Sequence, residues 1–163
     1  MQPHYNILFL CTGNSARSIM AEAILNHKAK GALTAYSAGS HPSGVVRSEA
    51  LRQLELAGLS TAGLRSKSWD EFAAPDAPRM NIVFTVCDNA ASEVCPIWPG
   101  HPVTSHWGVA DPAAVKGTPE EIAPAFRDAF SILERRITLF LSLPLLTLDQ
   151  MALKQEIDKI GQR

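Results

Sequence analysis

Several things that would assign a class quickly are scarce in this chain. It has only three cysteines, Cys11, Cys87 and Cys95, an odd number that argues against a structural disulfide framework. Aromatic residues make up 7% of it, and only two are tyrosines, Tyr5 and Tyr36. Neither sign of charge prevails: 15 Lys and Arg stand against 16 Asp and Glu, for a net charge of −1. That balance gives no reason to expect nucleic acid or an anionic membrane surface as a partner. An anionic ligand would have to be held by local geometry and not by a global positive field. No apolar run is long enough to span a bilayer: the longest, Leu139 to Leu146, is interrupted by Ser142 and Pro144. The first, Ile7 to Leu10, is too short for the apolar region of a secretory signal, so the expected location is the cytoplasm. His4, His27, His41 and His101 are scattered without metal-ligand spacing, and neither a metal nor a cofactor is expected. There is no internal repeat, low-complexity tract or interdomain linker, and 163 residues fit one domain.

What is present is an alternation of strand and helix signals. Tyr5 to Leu10 is a short continuous apolar run, the pattern of a strand covered on both faces. A helix is expected from Ala16 to Lys30, with Ser15 as its cap. A strand follows at Ala32 to Ser37, then a loop from Ala38 to Gly44. Arg47 to Ala57 has one apolar face and Gly58 just beyond its end, a helix with its stop signal. Trp69 to Ala73 is a short helix, Met80 to Val86 a buried strand ending at Cys87, and His101 to Trp107 a weaker strand. Pro119 to Leu143 and Leu148 to Ile160 are the last two helices. Met20, Met80 and the leucines from 139 to 146 are expected in the core, and His106 and Trp107 are taken as packing residues. Such alternation implies an α/β fold with a parallel sheet and right-handed crossovers.

The chemistry concentrates where the first strand ends. Ligands of open parallel sheets bind at the carboxyl ends of strands, and Cys11 stands at such an end with a helix just after it. A loop of this kind turns backbone N–H groups inward and adds the positive end of a helix dipole, which makes an anion nest. The same field is expected to lower the Cys11 thiol pKa. Arg17 brings a planar fork able to clamp two oxygens of a tetrahedral oxyanion. Gly13 permits close backbone approach, Asn14 tolerates left-handed geometry, and Ser18 is placed to donate to the Cys11 thiolate.

Cys11-Thr12-Gly13-Asn14-Ser15-Ala16-Arg17-Ser18 resembles the signature loop of the low-molecular-weight tyrosine phosphatase superfamily, and within it the three-cysteine arsenate reductases. The resemblance continues through Ser37-Ala38-Gly39, Cys87, Cys95-Pro96, His106-Trp107-Gly108 and Asp111-Pro112. It implies a single three-layer α/β domain over residues 1–163, with a four-stranded parallel sheet flanked by helices. The core is expected at about residues 5–142, with a C-terminal helical tail. Thr12, Gly13, Asn14, Ser15, Ala16, Arg17 and Ser18 would bind the substrate, arsenate, with phosphate or sulfate as mimics. The implied reaction begins with attack of Cys11 on arsenate, while Asp111 assists loss of water. Cys87 then attacks Cys11 and arsenite leaves. Cys95 attacks Cys87 and carries the disulfide outward, across a segment from Asp88 to Val94 that should move. The alternative is a phosphatase hydrolysing aryl phosphates, which would have no use for Cys87 or Cys95. A non-catalytic anion-binding or redox-sensing module is the third reading. Phosphatases of the superfamily place aromatics after the Asp-Pro pair, where this chain has Ala113 and Ala114.

Three departures from the family pattern bear on these expectations. Ala16 stands where many relatives carry a cysteine, so no disulfide forms inside the loop. The Cys87–Cys95 spacing is one residue longer than in the thioredoxin-coupled reductases, which leaves thioredoxin, or glutaredoxin with glutathione, as the reductant. Some members hold potassium behind the loop. Asn14, Glu22 and Ser37 match part of that set, but Lys67 stands where an acidic ligand is expected, and its ammonium is placed to pair with Glu22.

Overall fold

The computed structural model describes residues 4–87, 98 and 101–162. Four strands form one parallel sheet: β1 (Tyr5–Leu10), β2 (Leu33–Ala38), β3 (Ile82–Thr85) and β4 (Val103–His106), in the spatial order β2-β1-β3-β4. Among the described residues five helices flank it: α1 (Arg17–Ala29), α2 (Ser48–Leu56), α3 (Asp70–Ala73), α4 (Pro119–Leu141) and α5 (Gln150–Gly161). Every element expected among these residues is found, with each end shifted by two residues at most. The fold is thus an α/β domain with a four-stranded parallel sheet between helices.

β1 lies centrally because its apolar run can be covered on both faces. Ile7, Leu8 and Phe9 are wholly buried, and Ile7 pairs in register with Ala35 on one side and Ile82 on the other. β4 is the edge, and its burial alternates: Val103 and Ser105 point in, Thr104 and His106 out. Helix α5 packs on β4. Trp107 Nε1 donates to the Ile157 carbonyl at 2.9 Å, and Lys154 Nζ donates to the Thr104 carbonyl at 2.7 Å. Leu153, Ile157 and Ile160 join the main buried cluster, so the segment read as a tail is docked on the sheet. Trp107 is fully buried and stacks on Phe84 with ring centroids 3.9 Å apart.

Some details differ from expectation. Ser15 does not cap α1: the N-cap is Ala16, and no side chain bonds to the first turn. Ser15 instead offers its carbonyl to the Arg47 N–H at 2.9 Å, which commits it to the loop. Helix α2 stops as expected, with Gly58 at φ 79° and the Leu59 N–H bonded back to Leu54. Helix α4 opens on a reciprocal cap between Thr118 and Glu121. Met20 and Met80 are in the core, but Leu146 is 56% exposed because it lies in the turn after α4. No helix among the described residues is long and apolar enough to cross a membrane.

Since all four strands run the same way, their carboxyl ends lie on one edge. The loop beginning at Cys11 follows β1, Cys87 follows β3, and the turn to Asp111 follows β4.

Candidate active site

The Cys11–Arg17 loop is built by turning its carbonyls outward. Thr12 O accepts from His41 N–H at 3.0 Å, Gly13 O from Ser43 N–H at 3.0 Å and from Ser66 Oγ at 3.2 Å, and Ser15 O from Arg47 N–H at 2.9 Å. In a trans peptide the next N–H points the opposite way, and no peptide here is cis. The amides of Gly13, Asn14 and Ala16 therefore face the loop interior. Uncapped amides at the start of α1 add to them. Asn14 holds the sharpest turn, with φ 45°, as its residue type allows. Its Oδ1 accepts from the Lys67 N–H at 2.9 Å and its Nδ2 donates to Ser18 Oγ at 2.8 Å. No hydrogen bond joins Ser18 to Cys11: that buried hydroxyl is occupied behind the loop by Asn14. Gly39, and not Gly13, is the glycine that packing demands. A Cβ on Gly39 would stand 2.6 Å from the Cys11 carbonyl and closer still to that of Thr12, whereas one on Gly13 meets nothing nearer than Ser15 Oγ at 3.7 Å.

Cys11 and Cys87 are both buried and not joined by a disulfide, and the Cys87 thiol lies close enough to dominate the electrostatics of Cys11. Cys87 Sγ also accepts from the Thr12 N–H at 3.3 Å and lies 3.6 Å from Thr12 Oγ1. The second thiol is thus seated against Thr12, the second residue of the Cys11–Arg17 loop. Its closeness to Cys11 reverses one expectation. The Cys11 thiol is pushed up from its ordinary value, first by the neighbouring Cys87 thiol and next by burial. Arg17 and the Gly13 N–H pull the other way without overcoming them. Cys95 and the segment from Asp88 to Val94 lie outside the described residues.

Arg17 is nearly buried and reaches across to the turn after β4. Its Nη1 donates to the Val109 carbonyl at 2.8 Å, and its Nη2 lies 3.7 Å from Asp111 Oδ1. The half-exposed Asp111 carboxylate accepts from the Ala113 N–H at 2.9 Å, which fixes it at the head of a single 3-10 turn, Pro112–Ala114. An open cleft of about 650 Å³ is lined by Arg17, Cys87, His106, Val109 and Asp111, among others. His106 was expected to be a packing residue, but it is exposed and lines this cleft, with Nδ1 2.7 Å from Thr85 Oγ1. Only Trp107 of that pair is core.

Behind the loop, Lys67 is 8% exposed. Its Nζ lies 3.7 Å from Glu22 Oε1 and donates to Ser37 Oγ at 3.5 Å and to the Arg65 carbonyl at 2.8 Å. Ser37 Oγ donates to Glu22 Oε1 at 2.5 Å. Burial pushes the Glu22 carboxyl up and the Lys67 ammonium down, and each partially restores the other. A potassium ion does not fit these residues: the ammonium already faces the Glu22 and Ser37 oxygens and would repel it, and the Asn14 oxygen already accepts the Lys67 N–H. Sequence reasoning missed Arg136, buried in α4 with Nη1 donating to the Gly108 carbonyl at 3.0 Å. The available signal was its spacing from Leu133 and Phe140, which places it on the helix's buried face.

Comparison with known proteins adds a second line. The profile of the family described as low molecular weight phosphotyrosine protein phosphatase matches residues 6–158. An arsenate reductase of Halalkalibacterium halodurans is 36% identical over 134 residues, covering 82% of this chain and 93% of that protein. The crystal structure of an arsenate reductase from Archaeoglobus fulgidus superposes with a TM-score of 0.62 at 29% identity, over 80% of this chain and 94% of that one. A low molecular weight protein tyrosine phosphatase from T. tengcongensis superposes with a TM-score of 0.67 at 24% identity, over 82% and 95%. Reductase and phosphatase share the fold, so the fold alone does not choose between them.

Proposed function

Given that the chain belongs to the low molecular weight phosphotyrosine protein phosphatase family, among its arsenate reductases, we propose that it reduces arsenate to arsenite through a relay of its own thiols. The observation that carries this reading is the seat of Cys87: a second buried thiol beside Cys11, accepting from the Thr12 amide at 3.3 Å, where hydrolysis of a phosphate ester needs only water.

The residues act in sequence. The inward amides of Gly13, Asn14 and Ala16 and the Arg17 guanidinium hold three arsenate oxygens. Oxyanion binding draws Arg17 toward the loop and adds its field to the helix dipole, which favours loss of the Cys11 proton. The Cys11 sulfur attacks arsenic as Asp111 donates a proton to the departing oxygen, which leaves as water. The Cys87 thiolate then attacks Cys11 sulfur. The S–As bond breaks and its electron pair stays on arsenic, so arsenic is reduced by two electrons as two thiols become one disulfide. Cys95 attacks Cys87 in turn, freeing Cys11. A dithiol partner of the thioredoxin or glutaredoxin type then reduces the Cys87–Cys95 disulfide.

The test is steady-state arsenite production with thioredoxin, or with glutaredoxin and glutathione, on the wild type and on Cys11→Ser, Cys87→Ser and Cys95→Ser. All three variants should fall to background with either physiological reductant. Undiminished turnover by Cys87→Ser would remove the relay. Hydrolysis of an aryl phosphate that ignores Cys87 and Cys95, with no arsenite formed, would make the protein a phosphatase.

A further inference from the structure

Gly108 and Val109 are neighbours in the turn that carries Asp111, and a different guanidinium holds each carbonyl. Arg17 takes Val109 O at 2.8 Å and Arg136 takes Gly108 O at 3.0 Å. Arg136 is 7% exposed and shares its face of α4 with Leu133, Ile137 and Phe140, all wholly buried. Packing at that position needs only an apolar side chain, and burying a guanidinium there carries a desolvation cost. What the guanidinium adds is hydrogen-bond donation, to the Gly108 carbonyl among its partners. Helix α4 also packs on α1, whose first residue is Arg17. The contacts therefore close a ring: Arg17 to the acid turn, the turn to Arg136, Arg136 through α4 to α1, and α1 back to Arg17.

We propose that Arg136 is a positioning residue for catalysis. It anchors the acid turn at Gly108, so that the Val109 carbonyl orients Arg17 and the Asp111 carboxyl faces the Cys11 loop. This rests on the reading of Arg17 as oxyanion clamp and Asp111 as acid. Arg136 itself does not reach the cleft described above. Its action is on turnover, because an acid displaced by about 1 Å from its leaving oxygen costs on the order of a hundredfold in rate.

The experiment is a double-mutant cycle of Arg136→Met or Arg136→Lys with Asp111→Asn, reading kcat and KM for arsenate and melting temperature throughout. Arg136→Met should lower kcat by about ten- to a hundredfold with little change in KM. Arg136→Lys, which keeps a donor, should recover part of that loss. In the Asp111→Asn background the further loss of kcat should be markedly smaller, since there is no acid left to place and only the orientation of Arg17 still depends on Arg136. An equal loss in both backgrounds, or one that merely follows the folded fraction, would overturn the proposal. If Arg136→Met does not fold, Arg136→Lys carries the cycle. Hydrolysis of 4-nitrophenyl phosphate is measured alongside. A wild type that hydrolyses it without making arsenite would remove the reductase reading, and the cycle is then read on the ester, whose cleavage uses the same acid.

Discussion

At the scale of single residues, the Cys11–Cys87 contact has the widest consequences. A strand-end cysteine before a helix is expected to be acidic, and the helix dipole, Arg17 and the Gly13 amide all act that way. The neighbouring thiol is the largest influence and acts the other way. Replacing Cys87 by Ala should therefore lower the Cys11 pKa. Alkylation of Cys11 by iodoacetamide, followed by mass spectrometry across pH 6–10, should be faster at neutral pH in Cys87→Ala than in the wild type. An unchanged or rightward-shifted profile would show that Cys87 does not hold the proton on Cys11. Lys67 and Glu22 form the second residue-level unit. Glu22 is raised by burial, so its contribution to stability is full below its unfolded pKa and is lost as pH rises through its folded one. Removing the ammonium raises Glu22 further. Lys67→Met should thus be destabilised more at pH 8 than at pH 5, by about 3 kcal/mol at the higher pH by denaturant unfolding. With the ammonium in place, the melting temperature should be the same in potassium and sodium salts, and a marked rise in potassium would contradict the placement.

At the scale of elements, the loop depends on the backbone behind it. Gly39 donates to the Lys67 carbonyl at 3.0 Å and accepts from the Trp69 N–H at 2.9 Å, pressed against the Cys11 and Thr12 carbonyls. A methyl group there must displace the loop. Gly39→Ala should cost about 1–3 kcal/mol and depress turnover beyond what the lost stability explains, measured as kcat per folded chain. Activity equal to wild type per folded molecule would mean the loop tolerates the shift. Elements of this kind are legible in sequence because their cause is local. Ile7 to Leu10 is continuously apolar, Gly58 stops α2, and Asn14 accepts a left-handed turn. The common edge of Cys11, Cys87 and Asp111 was legible too, since parallel strands place all their ends together. Remote contacts were legible only through the family resemblance, which put Cys87 at Cys11 and Lys67 at Glu22. Those outside it were not: nothing near Ser15 shows that Arg47 claims its carbonyl, and an arginine on a helix is ordinarily solvated, which hid Arg136.

At the scale of the whole molecule, the sheet brings an oxyanion loop, a second thiol and an acid to one edge, and helices α1 and α4 hold the frame. In the proposed mechanism the net charge of −1 contributes nothing to anion capture, which is assigned to inward amides and one guanidinium. The central claim is that the electrons come from the chain's own thiols. It is tested most directly by a single turnover of the fully reduced protein with excess arsenate and no external reductant. The account predicts one arsenite per chain, two thiols lost per arsenite, and a disulfide joining Cys87 to Cys95 in the wild type and to Cys11 in Cys95→Ser. Three intact thiols after arsenite has formed, or the same burst from Cys87→Ser, would contradict it.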